Sequence, residues 1–246
     1  MLTHPTIDKI KALKLYGMAK ALEDQQQMAD LHELAFEERL GLLIDREQTE
    51  RESRRLQTRL RKAKLSQPAC LEDMDWQAKR GLDKSLFLKL SSCEWIASHL
   101  NVLLSGPTGV GKSYVACALA HKACMEGYTA EYRRIPRLFS ELGLAKGDGS
   151  YGKLLLRFAK TDLLVLDDLG LAPFTEEARR DFLEILEDRH GKKSTLITSQ
   201  FPIAKWHEMI GDPTLADAIM DRLVHDAYKI TLKGESMRKQ KKKVQT

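Results

Sequence analysis

Eight residues, Gly106-Pro107-Thr108-Gly109-Val110-Gly111-Lys112-Ser113, match G-x-x-x-x-G-K-[ST] at every fixed position. Glycines at 106, 109 and 111 let the backbone turn its N–H groups inward and keep a Cβ out of the path of a bulky anion. An apolar run over 100–105 precedes the octet and another follows Lys112, so a strand leads in and a helix leads out. The helix adds its N-terminal dipole to the same point. These residue types at this spacing suit a triphosphate. Lys112 is a point charge for the β- and γ-phosphates, and the Ser113 hydroxyl is a ligand for Mg²⁺. A nucleoside triphosphate with Mg²⁺ is therefore expected, held by residues 106–113 and by Tyr114, which follows directly.

A second stretch, Leu-Leu-Val-Leu-Asp-Asp-Leu-Gly over 163–170, delivers two acids to the C-terminal end of an apolar strand. Ligands bind at that end of an open parallel sheet. Asp167 suits the Walker-B role of holding Mg²⁺, through water. Asp168 is placed to orient or activate an attacking water. A third strand, 194–199, ends in Gln200, a neutral donor and acceptor for water near the γ-phosphate. Arg222, in Asp-Ala-Ile-Met-Asp-Arg-Leu-Val-His, suits an arginine finger reaching a neighbouring subunit. Arg179 and Arg180 are weaker candidates, since they sit on an acidic helix.

These groups need a scaffold that brings them together. From residue 86 strands and helices alternate: strands over 100–105, 128–132, 163–166, 194–199 and 228–232, and helices over 111–126, 135–160 around a Gly-rich break, and 175–190 with Thr175 as N-cap. Alternation of this kind predicts an α/β fold with a parallel sheet covered on both faces. Residues 6–64 read as helical throughout. Ile7, Ile10, Leu13, Leu15, Met18 and Leu22 form one apolar stripe, and Leu31, Leu34, Leu40, Leu43 and Ile44 another. The expected organisation is a helical module over 1–64, a linker over 65–85 broken at Pro68, the nucleotide-binding domain over 86–236, and a basic tail over 237–246. Trp76, Trp95 and Trp206 read as packing residues.

The net charge is +5, but it is concentrated. Residues 51–64 and 229–246 each carry seven basic residues and one acid, so each nets +6 and the rest of the chain sums to −7. Two positive patches on an acidic body suit a polyanion partner. DNA contacts are expected from regions containing Arg51, Arg54, Arg55, Arg59, Arg61 and Lys62, from Arg133, Arg134 and Arg137, and from the tail. Cys70, Cys93, Cys117 and Cys124 form no C-x-x-C pair, and the histidines show no metal-ligand spacing. No run of 18 apolar residues and no secretory leader is present, which predicts a cytoplasmic chain with no membrane partner.

The spaced set GPTGVGKS, LLVLDDLG, ITSQ and GDPTLADAIMDRLVH, with GLDK before it and GESMR after it, resembles the IstB/DnaC branch of AAA+ ATPases over residues 65–238. It is most similar to the IstB-type transposition helpers. The resemblance implies a five-stranded AAA+ core without a C-terminal helical lid, and an extra helical element within 136–158. It implies that Gln200 is the sensor-1 residue and Arg222 the arginine finger. It also makes ATP the expected nucleotide, and implies ATP-dependent self-assembly on duplex DNA, DNA deformation, and recruitment and stimulation of a transposase. The chain departs from common AAA+ patterns in Asp168, where glutamate is frequent, in Gln200, where asparagine is commoner, and in lacking a sensor-2 arginine unless Arg238 serves.

A replicative helicase loader of the DnaC type shares this ATPase core and is the alternative. Loaders of this branch that carry a zinc module need cysteines there, and residues 1–64 contain none. A small-molecule P-loop kinase would need an arginine-rich lid, which the basic helix, the acid pair and Arg222 do not resemble. A nucleotide-gated scaffold would bind ATP without DNA-dependent turnover.

Overall fold

Five short strands, the central three rich in leucine, isoleucine and valine, form one parallel sheet in the computed structural model, whose described residues are 5–27, 34–76 and 80–237. The strands are β1 (Asn101–Ser105), β2 (Ala130–Arg134), β3 (Leu163–Leu169), β4 (Ser194–Ser199) and β5 (Ala227–Thr231), in the order β2-β3-β4-β1-β5. All residues of β1 and β4 are buried. Burial on both faces is why these strands read as continuous apolar runs rather than alternating ones. The order makes β4 the neighbour of both β1 and β3. The segments that follow β1, β3 and β4 therefore emerge side by side at one edge of the sheet.

The chain divides into two units, Met1–Thr58 and Arg59–Thr246. The first unit holds α1 (Pro5–Ala12), α2 (Tyr16–Gln25) and the start of α3 (Phe36–Ala63), a long helix that runs through the unit boundary. The expected helical module is built from separate helices, with breaks inside the stretch read as helical throughout. Lys14 takes a left-handed φ of 61°, which ends α1 and turns the chain into α2. The expected stripes are only partly buried: Ile7 and Leu43 are buried, whereas Leu13 is 69% and Ile44 51% exposed. Three helices of this size bury a narrow seam, and Glu47 occupies part of it. Its carboxylate accepts the Gly17 N–H at 2.7 Å and the Met18 N–H at 3.2 Å, which satisfies two orphan donors at the start of α2. Leu31 lies outside the described residues.

In the second unit α4 (Lys84–Ser91) and α5 (Glu94–Ala97) precede β1. Helix α6 (Lys112–Met125) follows β1, and α7 (Ile135–Gly147) and α8 (Tyr151–Lys160) follow β2. Helix α9 (Glu176–Arg189) follows β3. A one-turn 3-10 segment (Ile203–Lys205), α10 (Trp206–Ile210) and α11 (Pro213–Val224) link β4 to β5. Strand β2 starts later than expected because the Tyr128 N–H bonds back to Ala123 O at 2.9 Å, closing α6 around Gly127 at φ 96°. The α7–α8 pair falls where the extra helical element was expected. Thr175 caps α9 as expected, accepting the Ala178 N–H at 3.1 Å. Ala69, Leu71 and Met74 are buried, so much of the expected linker packs as part of this unit. Trp95 and Trp206 are buried in it too.

The core lies between the sheet and α7–α11, built on residues such as Leu103, Leu138, Phe158, Phe182, Ile197 and Trp206. Each such side chain contributes about 1.5–3 kcal/mol by burial. Arg189 ends α9 fully buried and braces this layer by donating to the carbonyls of Phe158, Thr161 and Ser194. Burial pulls its pKa down to about 9.

Candidate functional site

The Gly-rich octet links β1 to α6 as expected. Gly106, Gly109 and Gly111 have φ of 146°, 86° and 102°, a region that only glycine enters without strain. The close approach is real as well as the dihedral. A Cβ on Gly106 would run into the carbonyl of Leu232, and one on Gly109 into the Ser236 side chain. The segment after β5 thus straps across the loop, with the Met237 N–H bonded to Gly109 O at 2.9 Å. Gly111 lies against the guanidinium of Arg80, whose Nη2 donates to Asp75 O at 2.7 Å.

Lys112 opens α6 and is buried. Its Nζ donates to Gly106 O at 2.6 Å and Pro107 O at 2.8 Å, so the ammonium is curled into its own loop. Burial lowers its pKa, opposed by the charges of Asp167 and Asp168. Ser113 Oγ donates to the Asp167 carboxylate at 2.9–3.0 Å. A hydroxyl and a carboxylate in contact form a hard oxygen set that fits Mg²⁺. The glycine loop, whose positive φ values let its backbone N–H groups turn inward, fits phosphate oxygens.

Asp167 is buried and also accepts from Tyr132 on β2 and Thr198 on β4. Burial and the bond to Asp167 both raise the Tyr132 pKa, keeping that phenol protonated as a donor. Asp168, at φ 68°, accepts two hydrogen bonds from Arg134, from Nε at 2.9 Å and Nη2 at 2.7 Å. Lys112, Ser113, Tyr114, Asp168 and Gln200 line one cavity of about 330 Å³, together with Thr108, Gly109, Gly111, Arg80 and Met237. The sheet order explains the convergence: β4 lies between β1 and β3, so Gln200 emerges between the P-loop and the acid pair. Pro107 and Val110 belong to the same loop without lining the cavity.

Arg222 stands elsewhere. It lies in the last turn of α11, beside a small cavity of about 70 Å³ that Asn101 of β1 and Thr195 of β4 also line. That is the opposite end of these strands from the P-loop. Its guanidinium pairs with Glu187 at 2.9 Å and Asp221 at 2.8 Å, and its Nε is buried without a partner. Arg222 therefore does not line its own chain's nucleotide cavity. Arg179 donates to Ile210 O at 2.5 Å and Arg180 pairs with Glu176 at 2.5 Å, which leaves both in structural contacts.

The residues expected to contact DNA divide into those engaged within the fold and those left exposed. Arg133 is 12% exposed, paired with Glu131 and Glu141 and seated over Phe158, so its guanidinium is engaged within the fold. Arg134 belongs to the acid pair just described. Arg51 and Arg54 pair with Glu47 and Glu50 one helical turn back, and Arg59 donates to Cys124 O at 2.7 Å. Arg55, Arg61, Lys62 and Arg137 are exposed. The tail from Arg238 onward lies outside the described residues. The sequence pattern missed Tyr132, Thr198, Arg80 and the Ser236–Met237 strap. Only Thr198 carried a signal, its place two residues before Gln200.

Comparison with known proteins follows the same lines. Residues 8–245 match the family described as IstB-like ATP binding protein. A protein of Sinorhizobium fredii described as an insertion sequence ATP-binding protein is 51% identical over 243 residues, 99% of each chain. In fold, the crystal structure of DnaI aligns with a TM-score of 0.58 at 24% identity, covering 68% of this chain and 95% of that one. The DnaC helicase loader aligns with a TM-score of 0.52 at 18% identity, covering 71% and 98%. The fold is thus that of AAA+ P-loop proteins, and no helix among the described residues is long and apolar enough to cross a membrane. With its P-loop, acid pair and full-length relatives taken together, the chain belongs to the IstB-like ATP-binding proteins of insertion sequences.

Proposed function

We propose that this chain is a DNA-dependent ATPase that assembles on duplex target DNA, deforms it, and recruits or stimulates the transposase of its insertion sequence. The observation that carries the reading is the separation of the site into two halves. Lys112, Ser113, Asp167, Asp168 and Gln200 stand at one end of the strands, and Arg222 stands at the other. A nucleotide held by the first half needs a second subunit to bring in Arg222, so ATP acts as the glue of an assembly.

ATP would supply the phosphoanhydride and Mg²⁺ the charge neutralisation. Lys112 would turn from its loop carbonyls toward the phosphates. Ser113 and Asp167 would hold the metal. Asp168 and Gln200 orient water. Arg222 leaves Glu187 and Asp221 to meet the neighbour's phosphate charge. Exposed cations such as Arg55, Arg61 and Lys62 face DNA phosphates, which favours affinity over sequence choice and suits a factor that uses many targets.

The test is phosphate release with and without duplex DNA, across a salt series. The reading expects slow basal hydrolysis, stimulation by duplex, and stimulation that fades as salt rises. Stimulation by single strands only, or only with a hexameric helicase, would favour a helicase loader. ATP binding with release unchanged by DNA would mean a scaffold instead.

A further inference from the structure

In a regular strand Asp167 and Asp168 would point to opposite faces. They do not behave as a regular strand here. The pairing of β3 with β4 slips between Leu166 and Leu169, and Asp168 takes φ 68° inside the slip. Asp167 reaches Ser113, while Asp168 lines the nucleotide cavity, so the bulge serves to bring both acids to one site.

One hydroxyl sits at the slip. Thr198 Oγ1 donates its proton to Asp167 Oδ1 and accepts the Asp168 N–H at 3.1 Å. Thr198 is fully buried, and its backbone is held on the other side by register with Leu104 of β1. From the opposite strand Tyr132 donates to Asp167 Oδ2. The flanking strands thus each send one hydroxyl into the same carboxylate, and of the two Thr198 touches both acids.

We propose that Thr198 is a positioning residue that sets the metal-holding acid and the water-orienting acid with a single hydroxyl, and that Tyr132 completes the hold on Asp167. This rests on the reading of the cavity as a Mg²⁺-nucleotide site. A hydroxyl that can both donate and accept is required at 198. Valine has the same shape and can do neither. Serine can do both.

The experiment compares wild type, Thr198→Val, Thr198→Ser and Tyr132→Phe in two ways. Affinity for a fluorescent ATP analogue is measured in EDTA and in Mg²⁺, and hydrolysis is measured against Mg²⁺ concentration. Thr198→Val is expected to bind nucleotide as wild type does in EDTA, to need about tenfold more Mg²⁺ for half-maximal activity, and to lose about tenfold in kcat with little change in the KM for ATP. Thr198→Ser is expected to restore both. Tyr132→Phe is expected to shift the Mg²⁺ requirement more than kcat, because it touches Asp167 alone. It also keeps the hypothesis testable if the valine variant fails to fold. Equal impairment of the serine and valine variants would make 198 a packing position and overturn the proposal, as would an unchanged Mg²⁺ requirement in both Thr198→Val and Tyr132→Phe. If wild type binds Mg²⁺-nucleotide but does not hydrolyse it, the ATPase reading fails while the Mg²⁺-dependent gain in affinity still judges Thr198. If wild type binds no nucleotide, both readings fall.

Discussion

Arg134 and Asp168 form a two-pronged ion pair at the mouth of the nucleotide cavity, with both guanidinium donors on one carboxylate oxygen. Arg134 is the last residue of β2 and the N-cap of α7, so the pair ties Asp168 to the start of the α7–α8 element. The hydrogen bond to Asp168 raises the Arg134 pKa, which keeps the guanidinium charged. With side chains 43% and 17% exposed it is a partly screened contact, worth about 1 kcal/mol or less.

Arg134→Ala is expected to release Asp168 and raise basal hydrolysis by up to about fivefold, the rate equivalent of that energy. The further gain on adding duplex DNA is expected to shrink. Basal phosphate release checks the first part and the stimulation ratio the second. A variant that is slower without DNA would mean that Arg134 helps the reaction rather than restraining it.

Glu47 gives a pH dependence to the N-terminal unit. Burial raises its pKa, but the hydrogen bonds from Arg51, Met18 and Gly17 outweigh that and hold it below the ordinary carboxylate value. A carboxylate lowered in the folded state binds fewer protons than the unfolded chain does, so its stabilisation is present above the unfolded pKa. It is lost as pH falls through the folded value. Helicity of the first unit should therefore weaken in acid, and Glu47→Gln should flatten that dependence. Circular dichroism across a pH series checks both.

Gly17 is the counterpart of Glu47 in backbone terms. A Cβ there would lie 2.7 Å from both Arg46 O and Glu47 Cα, with no flexible side chain to give way. Gly17→Ala should destabilise the first unit by about 1–3 kcal/mol and leave nucleotide affinity unchanged. Thermal melts with and without nucleotide separate the two effects.

The parts of the site that the sequence made legible share one property: their chemistry is local. The P-loop needs its glycines, Lys112 and Ser113 within eight residues, and the acid pair announces itself at the end of an apolar run. The alternation of apolar runs likewise carried the parallel sheet. What stayed hidden was set by neighbours far along the chain. Tyr132 and Thr198 reach Asp167 from strands 35 and 31 residues away; nothing in its own segment marks Tyr132, and Thr198 is marked only by its place before Gln200. Arg133 and Arg134 read as one basic patch, yet strand alternation turns the first into Glu131, Glu141 and Phe158 and the second onto Asp168. The apolar positions of α3 predicted burial that a three-helix unit does not supply to Leu40 or Ile44.

Arg222 is expected to matter only between subunits. Arg222→Ala should keep ATP affinity within about twofold, since the side chain is absent from its own cavity, and lose about a thousandfold in hydrolysis once assembled. Nucleotide titration and phosphate release on the same preparation check the split.

The central claim is that ATP joins copies of this chain on duplex DNA through a shared site. Sizing and electron microscopy of the chain on duplex and on single-stranded DNA, with and without ATP and Mg²⁺, test it most directly. The account predicts a ring or spiral on duplex that requires ATP, is lost in Lys112→Ala, and forms without turning over in Arg222→Ala. A monomer of unchanged size under every condition would contradict it.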